Sequence, residues 1–120
     1  MTGSALVVED EQRVARVIVA ILERSGYDVT VAGSLAEARV ALAGRSYDAL
    51  VADLILPDGD GLAFAEEARR ERSIGVVLMS GLAEFQLPLG VVPLVKPFTP
   101  DQLEGALAQA LATTSDRPGH

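Results

Sequence analysis

The chain has 120 residues, 49% of them hydrophobic and 22% charged, with a formal net charge of −7 and no cysteine. Such a length bounds one domain that buries roughly two-thirds of its unfolded surface, and the apolar content excludes a disordered chain. The acidity opposes direct nucleic-acid binding, and the missing cysteines exclude disulfides and thiolate metal sites.

No basic, apolar and small-residue secretory pattern opens the chain. The longest apolar candidate, Val14 to Leu22, is interrupted by Arg16 and too short to cross a bilayer. No membrane insertion is expected, and a cytoplasmic location follows. Arg69, Arg70 and Arg72 are interleaved with Glu66, Glu67 and Glu71, which reads as a solvated helix face with pairs such as Glu66 to Arg70.

In chain order, Ala5-Leu6-Val7-Val8 is a short apolar run ended by Glu9-Asp10, a first strand. Val14, Val17, Ile18, Ile21 and Leu22 recur at helical spacing, with Ser25-Gly26 as a stop. Val29 to Ala32 is a second strand. Ser34 and Glu37 fit a capping box, and Leu35, Ala38 and Leu42 give that helix a buried stripe ending at Gly44. Ala49 to Ala52 is a third strand, and Asp53 stands at its carboxyl end before a Pro/Gly-rich loop.

Leu62, Ala65 and Ala68 mark a third helix ending near Arg72, Val76 to Met79 a fourth strand, and Val91 to Val95 a fifth. Between the last two strands, eleven residues separate Ser80 from Val92, too few for an ordinary helical crossover. Leu82 to Gln86 has room for a single turn, so the fourth helix is expected to be short or missing. Pro93 deprives the fifth strand of a ladder donor and places it at a sheet edge. Thr99-Pro100-Asp101-Gln102 is a helix start, with Leu103, Leu107, Ala110 and Leu111 facing the core. Residues 113–120 read as a flexible polar tail carrying the only histidine, His120. The whole reads as one domain over 1–120 with a core of about 5–112.

Alternating strands and helices predict an α/β fold with a doubly wound, five-stranded parallel sheet in the flavodoxin-like order 2-1-3-4-5. That order makes the first and third strands neighbours and gathers Glu9, Asp10 and Asp53 at their carboxyl ends. Carboxylates so close repel unless a cation relieves them, and hard oxygen ligands suit Mg²⁺. Ser80 and Lys96 end the fourth and fifth strands, adding a hydroxyl and an ammonium group. An acidic nucleophile, a metal and positive charge are what phosphoryl transfer needs.

With these residues in place, the sequence resembles a receiver domain of two-component response regulators, from Ala5 to about Ala112. The resemblance rests on Val8-Glu9-Asp10-Glu11, on Asp53 with Pro57 four and Gly61 eight residues later, on Ser80-Gly81, and on Lys96-Pro97-Phe98. It implies that Asp53 accepts a phosphoryl group from a phosphohistidine of a histidine kinase or histidine phosphotransfer protein. Asp10, Asp53 and the backbone carbonyl of Ile55 would bind Mg²⁺, with Glu9 acting mainly through water. Lys96 would pair with the phosphoryl group ahead of a cis bond to Pro97, and Ser80 would donate to a phosphoryl oxygen. The chain would assist its own phosphorylation and dephosphorylation as a regulator rather than turn over as an enzyme. A stand-alone receiver and one from a hybrid histidine kinase both fit; Met1 just before the first strand and the short tail favour the former.

Two departures stand out. Glu9 occupies a position where receivers often carry Asp, and Pro93 replaces an aromatic residue that in many members turns inward on activation; Phe85 is the candidate substitute. Ala15 and Val19 on the first helix are the candidate docking residues for the phosphodonor. Two other functions fit less well: a pseudo-receiver serving as a protein-binding scaffold without phosphorylation, and a Mg²⁺-dependent hydrolase with an aspartyl nucleophile. The hydrolase lacks the second acid usually found two residues after the nucleophile, where Ile55 stands.

Overall fold

Aliphatic and β-branched runs form strands of a parallel sheet when helices can cover both of its faces. The computed structural model describes residues 3–82 and 86–115. Along them run β1 (Gly3–Val8), α1 (Gln12–Arg24), β2 (Tyr27–Ala32), α2 (Leu35–Gly44) and β3 (Ala49–Asp53). There follow β4 (Ile55–Leu56), β5 (Gly59–Asp60), α3 (Gly61–Glu71), β6 (Gly75–Ser80), β7 (Val91–Val95) and α4 (Pro100–Ser115). The main sheet has the order β2-β1-β3-β6-β7, all pairs parallel. These are the five expected strands in the expected flavodoxin-like order.

The two-residue period of each strand divides the core into two layers. Leu6, Val8, Leu50, Ala52, Val76 and Leu78 face α2 and α3, where Leu35, Ala38, Phe64, Ala65 and Ala68 meet them. Ala5, Val7, Ala49, Val51, Val77 and Met79 face α1 and α4, packing on Ile18, Leu22, Leu103 and Leu107. β3 and β6 are buried throughout. β7 lies at the edge, as Pro93 requires, and Pro93 itself is exposed.

Among the described residues of the β6–β7 crossover there is no helix. Leu87 plugs the α2/α3 side of the core, and the Arg69 guanidinium on α3 donates to the Leu89 carbonyl at 3.2 Å, strapping the short crossover down. Phe85, and with it most of the suggested turn from Leu82 to Gln86, lies outside the described residues, as does His120.

Several local expectations change. Val17 is 56% exposed while Ala15, expected on the docking face, is 6% exposed and part of the core. A 100° step per residue puts Ala15, Ile18 and Leu22 in one stripe and leaves Val17 at its flank. Glu37 closes its cap on the Gly33 N–H at 3.0 Å, one residue before the expected partner, while Ser34 Oγ accepts the Glu37 N–H at 3.2 Å. The acids of the third helix pair as Glu67 with Arg39 and Glu71 with Arg72, not Glu66 with Arg70.

At the start of α4 the reciprocal cap forms as expected: Thr99 N–H donates to Gln102 Oε1 at 2.9 Å, and Gln102 N–H to Thr99 Oγ1 at 3.1 Å. That helix continues to Ser115, past the expected limit. The Thr113 and Thr114 hydroxyls donate back to the Ala110 and Leu111 carbonyls, both at 2.7 Å, which keeps these polar side chains compatible with the last turns of the helix. Residues 116–120 are outside the described chain. Among the described residues no helix is long and apolar enough to cross a membrane.

Candidate functional site

In a doubly wound sheet the loops after the strands diverge to opposite faces and leave a crevice at the carboxyl edge. Four strand ends meet there. β1 runs into Glu9, whose N–H continues the ladder by donating to the Ala32 carbonyl at 3.0 Å. Asp53 is the last residue of β3 and Ser80 the last of β6. Lys96 follows β7, its N–H on the Ser80 carbonyl at 2.8 Å, and its bond to Pro97 is cis, as the resemblance implied.

The side chains converge as their positions predict. Lys96 Nζ lies 2.6 Å from Asp53 Oδ1 and 2.8 Å from Glu9 Oε1. Glu9 and Asp53 are buried, at 2% and 6% exposure, and Ser80 is equally secluded. Asp10 remains exposed, yet a ligand oxygen from each of Glu9, Asp10 and Asp53 lies within 4.8 Å of the others. Two buried carboxylates share a single ammonium group, so more negative charge is present than the side chains neutralise. Hard oxygen donors in excess of their counter-charge fit a small divalent cation.

The electrostatics follow from that crowding. Burial, then the hydrogen-bonded Glu9 carboxylate beside it, pushes Asp53 up to about 7, against the lowering pull of Lys96. Burial would raise Glu9 too, but hydrogen bonds with Asp53, Lys96 and the Glu11 N–H bring it below the ordinary value. Burial would lower Lys96, but its bonds to Asp53 and Glu9 hold it above the usual lysine value. Of the two carboxyls, burial and the neighbouring Glu9 favour the protonated form at Asp53, while Asp53, Lys96 and the Glu11 N–H favour the ionised form at Glu9.

The loop after Asp53 folds back on it. Leu54 N–H donates to the Met79 carbonyl, and Gly61 N–H to the Leu54 carbonyl, both at 2.8 Å. A Cβ at residue 61 would land on the Asp53 carbonyl, so only glycine permits this return. β4 and β5 form a small antiparallel hairpin between these contacts, where the sequence suggested only a loop. Ile55 opens that hairpin with its side chain 75% exposed. Ser80 Oγ accepts the Leu82 N–H at 3.0 Å, leaving the hydroxyl hydrogen for another acceptor.

Beside the pocket, Arg13, Val14, Val17, Lys96, Pro97 and Phe98 line an open cleft of ≈ 500 Å³ between α1 and the loop after β7. Val19 is half-buried and borders a separate cleft with Ala15 and Val31. Pro97 and Phe98, legible in the sequence only as motif residues, border α1 here. Asp58, whose carboxylate meets the start of α2, carries no local sequence signal of that contact, because its partner lies more than twenty residues away.

A carboxylate cluster answered by one lysine thus lies at the carboxyl edge of an α/β domain with a parallel sheet in the flavodoxin-like order 2-1-3-4-5. Residues 5–108 match the response regulator receiver domain, and the chain belongs to that family. It is 33% identical to the KDP operon transcriptional regulatory protein KdpE of Escherichia coli K12, over 96% of this chain and 56% of that protein. The chain thus spans about half the length of that curated relative.

Among solved structures, a sensor protein from Polaromonas sp. JS666 superimposes with a TM-score of 0.81 at 31% identity, covering 95% of this chain and 99% of that one. A CheY-like response regulator receiver domain from Methylobacillus flagellatus gives 0.74 at 32% identity, covering 89% and 97%.

Proposed function

We propose that this receiver domain is a phosphoacceptor, with Asp53 taking the phosphoryl group from a phosphohistidine of a histidine kinase or histidine phosphotransfer protein. The observation that carries the reading is the meeting of Asp53 with Lys96 at 2.6 Å inside a three-carboxylate cluster. An ionised Asp53 oxygen attacks phosphorus, the P–N bond of the phosphohistidine breaks, and its electron pair stays on the imidazole. Glu9, Asp10, Asp53 and the backbone carbonyl of Ile55 are the groups that would hold Mg²⁺. Bound there, the ion would displace the Asp53 proton and neutralise charge on the transferred oxygens.

The chain's own residues do the rest. Lys96 shifts its contact from the Asp53 carboxylate to the phosphoryl oxygens, keeping Glu9 as its second partner. Ser80 turns its hydroxyl hydrogen towards the same group. A phosphoryl group adds nearly two negative charges and several acceptors, so both residues gain a stronger partner and draw the loops after β3 and β6 with them. The output is a change in protein–protein contacts, in a cytoplasmic setting where such phosphodonors act. The donor docks over α1, on the cleft edged by Val14, Val17, Pro97 and Phe98; Val19 and the buried Ala15 border the separate cleft on the other flank of the helix.

Intact mass after incubation with Mg²⁺ and acetyl phosphate tests the reading, with Asp53→Asn as control. One phosphoryl group added to the parent alone is the expected result. No adduct, together with no beryllofluoride complex by ¹⁹F NMR, would overturn it.

A further inference from the structure

The hairpin that follows Asp53 is anchored from outside itself. At its tip, Asp58 Oδ1 accepts the Leu35 N–H at 2.9 Å and Oδ2 accepts the Ala36 N–H at 3.1 Å. Both donors belong to the first turn of α2, where backbone N–H groups have no partner inside the helix. Ser34 Oγ, from the helix's own cap position, takes the next donor, Glu37 N–H. Ser34 is thus an ordinary cap, whereas the two-pronged carboxylate of Asp58 ties a distant loop to the helix. Although Asp58 is exposed, the Leu35 and Ala36 N–H groups hold its carboxyl below the usual range, as a helix N-terminus does to an anion.

The other end of the hairpin is fixed to α3, where Asp60 Oδ1 accepts the Leu62 N–H at 2.8 Å. Gly59 between them has φ +151°, a backbone that other residues rarely adopt, and sits against the Leu35 side chain. Tip and base are thereby held by two different helices. The segment they hold begins at Ile55, two residues after the phosphoacceptor.

We propose that Asp58 is a positioning residue for the cation and phosphoryl site: its carboxylate, bonded to the first turn of α2, sets the hairpin and with it the backbone carbonyl of Ile55. The inference rests on the phosphoacceptor reading and adds a residue that touches neither the ion nor the phosphoryl group. Without the tether, β4–β5 keeps only its base, and a two-residue pairing is too short to hold its own geometry.

Isothermal titration with Mg²⁺ on the full chain tests this, comparing the parent with Asp58→Ala, Asp58→Asn and Ser34→Ala. Asp58→Ala is expected to weaken Mg²⁺ binding roughly tenfold, the lower end for groups that orient metal ligands. Asp58→Asn, which retains one acceptor oxygen, falls between it and the parent and covers the case of Asp58→Ala failing to fold. Ser34→Ala removes a bond from the same helix end without freeing the hairpin, so it lowers the melting temperature but leaves Mg²⁺ affinity unchanged. Parent-like affinity in both Asp58 variants overturns the proposal, as does equal weakening by Ser34→Ala, which would reduce the effect to helix stability. A parent that binds no Mg²⁺ overturns the phosphoacceptor reading itself, and this inference with it.

Discussion

Glu9 Oε1 and Lys96 Nζ meet at 2.8 Å although two strands, β3 and β6, lie between β1 and β7. The contact crosses the carboxyl edge of the sheet above Asp53 and draws Lys96 to two carboxylates at once. An aspartate at residue 9 would be one methylene shorter. The glutamate found there serves both as a member of the acidic cluster and as a partner for the cation on the opposite side.

Glu9→Gln keeps the shape of the side chain and removes its charge. Asp53 then loses the like charge beside it but not its burial. Its titration midpoint should fall from about 7 towards the ordinary 3.8 without reaching it. A ¹³C side-chain NMR titration without divalent ions reads this directly, and an unmoved midpoint would show that burial alone sets the value.

The same proton makes stability depend on pH. Asp53 is more basic in the folded protein than in the unfolded chain, so its stabilising contribution is full below 3.8 and is lost as pH rises through about 7. Glu9 is lowered from 4.5 and Lys96 raised from 10.5, so Glu9 acts only towards the acid end and Lys96 only towards the alkaline end, which leaves Asp53 dominant between pH about 5 and about 8. Asp53→Asn cannot ionise, so its melting temperature should gain on the parent's between pH about 5 and about 8 in metal-free buffer. Adding Mg²⁺ should raise the parent's melting temperature, and more at the upper pH, where fewer protons compete. A constant difference between the two proteins across the range would contradict the assignment of the proton.

Lys96→Met leaves the Glu9 and Asp53 carboxylates facing each other without a counter-charge. Stability at neutral pH without metal should fall on the order of 3 kcal/mol. The loss shrinks near pH 5, where Asp53 is protonated. Urea unfolding at the two pH values checks the size and the trend.

Glycine replacement separates close approach from helix propensity. Gly61→Ala drives a methyl group into the Asp53 carbonyl and should cost about 1–3 kcal/mol. Gly105→Ala, in the exposed middle of α4 with nothing near its added carbon, should stabilise by about 1 kcal/mol. Thermal melts of the two variants should move in opposite directions.

Val17 is an exposed apolar residue on α1 at the cleft beside Lys96. Val17→Glu should slow phosphotransfer from a histidine donor at least several-fold, since an anion there must be desolvated by the incoming partner. Labelling by acetyl phosphate should be unchanged. Equal loss of both activities would place the defect in the pocket instead of the docking surface.

What the sequence alone determined lies in local, periodic features. Short apolar runs ended by Glu9, Asp53, Ser80 and Lys96 marked strands with reactive ends, and Pro93 marked an edge because a missing N–H cannot join an inner ladder. Thr99 with Gln102 marked a helix start, since both partners of that cap lie within one turn. Tertiary structure alone decided which flank of α1 is buried, exchanging Ala15 and Val17, because a helical stripe has no sharp edge until a sheet packs on it. It also decided the two contacts that organise the pocket, Glu9 with Lys96 and Asp58 with the start of α2, 87 and 23 residues apart. No local pattern encodes such pairs; they arise from strand order and from loops that return across the carboxyl edge of the sheet.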